Sequence, residues 1–251
     1  MATGASAQNY GRDKLATGSA VEIKNDGLIN VAGNNAIGIY ADDNKGVALN
    51  EITVANNNKI TVAGDSSVGI ALRDSIGSGD GGVITLTGTG SSDIVTGTNG
   101  TGIYAENSQV NLNTNYGIET KDGGVGIYLK NSILPTNTTF EYKYSGSTSG
   151  RGIGIVFDKL NATNNTNLSL VNSTATTGGM VGIFANGGGT FINNGTINGS
   201  SVAKEFGIIG ENTNIDNKAA ITLGNATNIA SPNIALYTKT NNLITNSSNL
   251  T

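Results

Sequence analysis

The chain has 251 residues with a formal net charge of −4; 37 are glycine, 36 are asparagine, and only 13% are charged and 37% apolar. It contains no Cys, His or Trp, which removes disulfides, thiolate chemistry and any histidine general base, and three Arg with a pI near 4.8 leave no basic patch for nucleic acid. So little apolar material suits a thin interior rather than a thick core, and with only two Pro nearly every backbone N–H is free for long hydrogen-bonded ladders.

Residues 1–20 have no apolar signal-peptide core and are expected to be an N-terminal cap or a disordered lead. Residues 21–251 then repeat one unit. A polar corner and short strand, Asn25-Asp26-Gly27-Leu28-Ile29, precede Gly38-Ile39-Tyr40-Ala41, and Asn57-Asn58-Lys59-Ile60 precede the looser copy at Gly69. Ser75 to Gly100 is rich in Gly, Ser and Thr and reads as an enlarged corner, with a strand candidate at Val83 to Leu86. Gly102-Ile103-Tyr104-Ala105 follows, then a strand candidate at Val110 to Leu112 and a copy at Gly126. Ile133 to Gly150 reads as a second projecting corner of hairpin character, containing Pro135 and Phe140-Glu141-Tyr142-Lys143-Tyr144. Copies at Gly154 and Gly182 lead to a second Asn-rich corner, Asn193-Asn194-Gly195-Thr196-Ile197, before Gly207. Ile221 to Leu223 is one more strand, and an eighth copy, Ala235-Leu236-Tyr237-Thr238, carries Ala for Gly. Asn242-Leu243-Ile244-Thr245 looks like the start of a further coil, so the chain reads as a fragment of a longer protein.

The steps between copies are 31, 33, 24, 28, 28, 25 and 28 residues, a period that means stacked copies of a small unit. Aligned on the residue after glycine, the copies place Ile39, Ile70, Ile103, Ile127, Ile155, Ile183 and Ile208 at one position. Residues two before (Ile37, Val68, Thr101, Val125, Ile153, Val181, Phe206) and two after (Ala41, Leu72, Ala105, Leu129, Phe157, Ala185, Gly210) share that face in an unbroken strand. Its β-branched content favours strand over helix. The fold expected is all-β: a parallel, right-handed β-helix of about eight coils with three short strands each. The seven isoleucines stack inside it, and corner asparagines form ladders.

Little chemistry accompanies the repeat. Gly64-Asp65-Ser66-Ser67 matches the Gly-Asp-Ser of serine-protease loops, but no His is present to activate the serine, and the run falls where a corner belongs. Asp42-Asp43 is a carboxylate pair of the sort glycoside hydrolases use, at a strand end that is polar in most copies. No catalytic set, metal site or cofactor is assigned. The candidate binding residues are aromatic. If Ile points inward, Tyr40, Tyr104, Tyr128, Phe184 and Tyr237 point outward as a stripe beside a glycine groove. Phe140, Tyr142 and Tyr144 share a second face by alternation.

Stacked Gly-Ile-Tyr-Ala units alternating with Asn-x-Gly-x-Ile turns resemble the passenger domains of type V autotransporters, above all the large fusobacterial-type adhesins, over about residues 20–251. The resemblance implies export by a signal peptide, anchoring by a C-terminal outer-membrane β-barrel and folding outside the cell; eight repeats with no catalytic set add the expectation of a non-enzymatic stalk. Its partner would be a cell-surface protein or glycan of a host or another bacterium. The alternatives from other classes are a polysaccharide-degrading enzyme on the same scaffold and an Asn-rich amyloid or intracellular filament.

Overall fold

The computed structural model describes residues 21–43, 52–74, 82–147, 150–172, 179–199, 205–224, 232–240 and 242–251. The expected cap at 1–20 and part of both enlarged corners lie outside them. Among the described residues there is no helix; every strand pairs in parallel, and the chain winds as a β-solenoid with three strands to all but one of its coils.

The first coil runs Val21–Asn25, Ile29–Val31, Ile37–Asp43; the second Ile52–Asn56, Ile60–Val62, Val68–Asp74. The third is Val83–Leu86, Ile94–Thr96, Thr101–Glu106, and the fourth Gln109–Leu112, Tyr116–Thr120, Val125–Lys130. The fifth has only two strands, Thr139–Tyr144 and Arg151–Asp158, preceded by a single bridge from Ile133 to Gln109. Thr163–Asn164, Asn167–Asn172, Gly179–Ala185 form the sixth; Thr190–Asn193, Ile197–Gly199, Glu205–Gly210 the seventh; Asn214–Asn217, Ile221–Thr222, Ile234–Thr238 the eighth. Ile244–Asn246 begins another.

The last strands of the eight coils form one continuous anchor wall, roughly 34 Å long at about 4.8 Å per step. Its register is the sequence alignment itself: Ile39, Ile70, Ile103, Ile127, Ile155, Ile183, Ile208 and Leu236 pair in succession. The seven isoleucines are at most 3% exposed. The middle strands form a second continuous wall of eight. The first strands form a third wall that is split into two sheets of four.

The glycine before each isoleucine does not open a groove on the outside. A Cβ on Gly38, Gly69, Gly102, Gly126, Gly154, Gly182 or Gly207 would lie 2.5–2.7 Å from a carbonyl of the next coil and would point at a side chain of the second wall. The strand turns at this residue, so glycine and isoleucine both face in. The residue before the glycine consequently faces out, which corrects the expectation for Ile37, Val68, Thr101, Val125, Ile153 and Phe206, whereas Val181 is buried. Ile37 is exposed, and the Phe206 ring meets outward-facing Tyr237 edge-on at 6.4 Å.

The fifth-coil segment is also corrected. Thr139–Tyr144 is not a projecting hairpin but the fifth strand of the second wall, paired with Tyr116–Thr120 and Asn167–Asn172. Val83–Leu86 and Ile94–Thr96 likewise belong to the coil walls rather than to an enlarged corner.

Corners explain the asparagine. Asn35, Asn99, Asn107, Asn131, Asn161 and Asn212 all have φ between 47° and 56°, the left-handed region that Asn tolerates better than most residues. In the third wall, buried asparagines stack into a ladder: Asn164 donates to Asn193 at 2.9 Å, Asn193 to Asn217 at 2.8 Å and Asn217 to Asn246 at 2.8 Å. Each also donates to the carbonyl two residues on, so their buried amides are satisfied.

Candidate functional site

The outward aromatic residues form one file along the anchor wall. Tyr40, Ala71, Tyr104, Tyr128, Val156, Phe184, Ile209 and Tyr237 are successive register partners. Tyr104 and Tyr128 stack with centroids 5.6 Å apart and planes 24° off parallel, so their faces cover each other and mainly edges and hydroxyls turn outward. Ala71 and Val156 are buried, which closes the steps between the larger rings. Only Tyr237, at 43%, is fully on the surface.

The file is edged by charges of alternating sign. Asp42, Arg73, Glu106, Lys130 and Asp158 succeed one another in register. Arg73 reaches Glu106 at 3.1 Å and Asp42 at 4.0 Å, and Lys130 meets Glu106 at 2.8 Å. The tyrosine hydroxyls donate into this column, Tyr40 to Asp42 at 2.6 Å, Tyr104 to Glu106 at 2.9 Å and Tyr128 to Asp158 at 3.0 Å. Two consequences follow for titration. The Lys130 ammonium, with the Tyr104 hydroxyl and Arg73, holds the Glu106 carboxyl below the ordinary range against some burial. The Asp42 carboxylate pushes the Tyr40 phenol up, whereas burial is the main cause for Tyr104 and Tyr128. The alternation was open to a reader of the aligned copies, since Asp, Arg, Glu, Lys and Asp stand at their ends, but polarity alone does not reveal it.

Phe140, Tyr142 and Tyr144 are withdrawn as ligand residues. All three are 0% exposed, inside the fourth and fifth coils, because the strand carrying them is a coil wall whose inner face is the one they share. Their neighbour Tyr116 is equally buried. The hydroxyls are satisfied as buried phenols must be. Tyr142 shares a 2.7 Å bond with Thr120 Oγ1, Tyr144 donates to Asp122, and Asn56 donates to Tyr116 at 3.0 Å.

The acids considered for catalysis are engaged elsewhere. Asp42 accepts from Tyr40 and faces Arg73, while the Asp43 side chain lies outside the described residues. Ser66 sits at a corner with φ 55° and Ser67 is buried there. Among the described residues no group of three or more His, Cys, Asp or Glu could hold a metal ion.

A second feature, missed in the sequence although Pro135 marks it, is the break in the third wall. A cleft of about 250 Å³ opens there between Ile133, Leu134 and Pro135 on one lip and Asn161, Ala162 and Thr163 on the other. Its floor is apolar, with Leu134, Phe157 and Ala162 buried, and Phe157 is backed by Phe191 at 5.1 Å between ring centroids. Lys159, half-buried, also lines it. No protein-family model, curated protein or solved structure matches the chain.

Proposed function

We propose that this chain is a non-enzymatic segment of a bacterial surface adhesin of the type V autotransporter kind, serving as a rigid stalk. In this proposal the parent chain is exported, anchored by a C-terminal outer-membrane β-barrel, and meets a protein or glycan on another cell. The observation that carries it is the anchor wall: eight strands held in one register, seven of them by a repeated Gly-Ile pair and the eighth by Ala235-Leu236. Such a wall makes an unbranched rod whose length grows with each added coil, which suits it to set a distance.

The outward file is the proposed contact surface, through Tyr40, Tyr104, Tyr128, Phe184 and Tyr237. Because Tyr104 and Tyr128 cover each other's faces, the file offers ring edges and a flat apolar band. That geometry suits a protein surface better than a sugar stacked on an open ring. The acid an enzymatic reading would need, Asp42, is committed to Tyr40 and Arg73.

Two measurements test the proposal. Protease treatment of intact source cells should remove the epitopes of this segment; their survival until the cells are lysed contradicts surface display. Beads coated with the chain should adhere to host epithelium or partner bacteria, and Tyr104→Ser with Tyr128→Ser should reduce adhesion while the coil remains folded. Adhesion unchanged in that double variant assigns binding to another surface.

A further inference from the structure

We propose that the break in the third wall is a docking site for an extended, acidic peptide segment of a partner protein. One large apolar side chain of that segment fills the cleft and a carboxylate meets Lys159. The inference stands on the cleft alone and holds whether or not the rod is exported.

Backbone polarity comes first. Ile133 donates to Ser108 at 3.0 Å and accepts from Val110 at 2.9 Å, so both its polar groups point to the preceding coil. The alternation of a parallel ladder then turns the amide and carbonyl of Leu134 toward the break. On the other lip Thr163 lies opposite Ile192, whose amide donates to Ala162 at 2.9 Å. The amide and carbonyl of Thr163 therefore also face the break. Among the described residues no hydrogen bond joins 133–135 to 162–164; beyond the break the two coils meet again where Thr166 Oγ1 donates to Thr136 at 2.7 Å, and Asn167 donates to Thr138 at 3.1 Å at the start of the second-wall ladder. Unpaired backbone groups at a sheet edge are what an incoming extended segment uses.

Shape and charge name the rest of the partner. The floor of Leu134, Phe157 and Ala162 is apolar and fixed by packing, so it takes a hydrophobic side chain without rearrangement. Lys159 makes no ion pair among the described residues, and no carboxylate lines the cleft. A cation beside an apolar pocket selects an acid carried close to a large aliphatic or aromatic side chain.

The test uses the whole chain, isotope-labelled, and N-acetyl-L-phenylalaninate as probe: one ring, one amide, one carboxylate. Saturable amide shifts are expected at residues 132–134 and 157–165. The neutral N-acetyl-L-phenylalaninamide should bind about fivefold more weakly, the scale of one exposed ion pair. Lys159→Gln, a change in the cleft lining that leaves the fold intact, should erase that preference. Ala162→Val, which places two methyls in the cleft, should lower affinity for both probes. Shifts that never saturate, shifts spread along the rod, or equal affinity for acid and amide each overturn the proposal, as does Lys159→Gln retaining the preference.

Discussion

The anchor wall and the third wall are built by the same chain on the same rise, yet one runs unbroken through eight coils and the other splits. The difference lies in what each coil contributes. Every interior anchor strand supplies a glycine whose missing Cβ leaves room for the neighbouring carbonyl, and an isoleucine that packs on the one below. In the third wall the inward strand end is Asn25 and Asn56, then Leu86 and Leu112, and in the later coils Asn164, Asn193 and Asn217. Where leucine replaces asparagine the side-chain ladder stops, and Tyr116 takes the amide of Asn56 instead. Where Pro135 removes a donor, the backbone ladder stops too. A solenoid thus needs strict repetition in only part of its cross-section; the rest can open once that register is secured.

The largest expected effect attacks the strict wall. Ile127→Asp places an unpaired charge in a file that is 0% exposed at that position, at a cost of about 3–5 kcal/mol. It should give insoluble protein or a large fall in urea midpoint; a variant that unfolds like the parent refutes the inward stack. Gly126→Ala is the sharper probe. Its Cβ would sit 2.5 Å from the Gly154 carbonyl and 2.9 Å from the Tyr142 ring, and overpacking of this kind costs about 1–3 kcal/mol. Pro135→Ala, in the wall that is already broken, should change stability by less than about 0.5 kcal/mol. If the glycine and proline variants melt alike, the two walls do not differ as claimed.

Much of this contrast was legible before any coordinates. The anchor register could be read directly, because the isoleucine recurs in seven copies and the strands align on it. The period and the polar strand ends gave the class of fold. What failed has a common physical source. Alternation assumes an unbroken strand, and the glycine bends it, so Ile37 and Phe206 went to the wrong side and a groove was expected where glycine faces inward. Phe140, Tyr142 and Tyr144 were correctly placed on one face. Pattern alone does not say which face of an aromatic strand meets the interior. The cleft depends on two segments about 30 residues apart failing to pair, and a one-dimensional pattern marks only Pro135.

Within the third wall the intact ladder should matter more than its beginning. Asn193 accepts from Asn164 and donates to Asn217 and to the Gly195 carbonyl, all buried. Asn193→Ala leaves these groups unpaired and should cost about 1–3 kcal/mol. Asn25, half-buried, donates to Asn56 at 2.7 Å and accepts from the exposed Gly27 amide at 3.3 Å, and Asn25→Ala should cost about 1 kcal/mol or less. Paired urea titrations compare the two. Equal losses would mean that burial along the ladder does not set its worth.

A small, salt-dependent effect is expected of the charge column outside the anchor wall. Arg73 is half-exposed and binds Glu106 and Asp42, so Arg73→Ala should cost about 0.2–1 kcal/mol at pH 7 in low salt, and less in 1 M NaCl. Because Lys130, Tyr104 and Arg73 lower the Glu106 pKa in the folded chain, the stability it contributes is fully present above the unfolded glutamate value of about 4.3 and disappears as pH falls through the lower folded value. The difference between parent and variant should therefore close between about pH 4 and pH 2. Urea midpoints at both pH values and both salt concentrations measure it. A gap that persists in acid or at high salt would assign the Arg73 contribution to packing of its stem over Ala71, which would make the outer file, rather than the charge column, the feature that reinforces the anchor wall from outside.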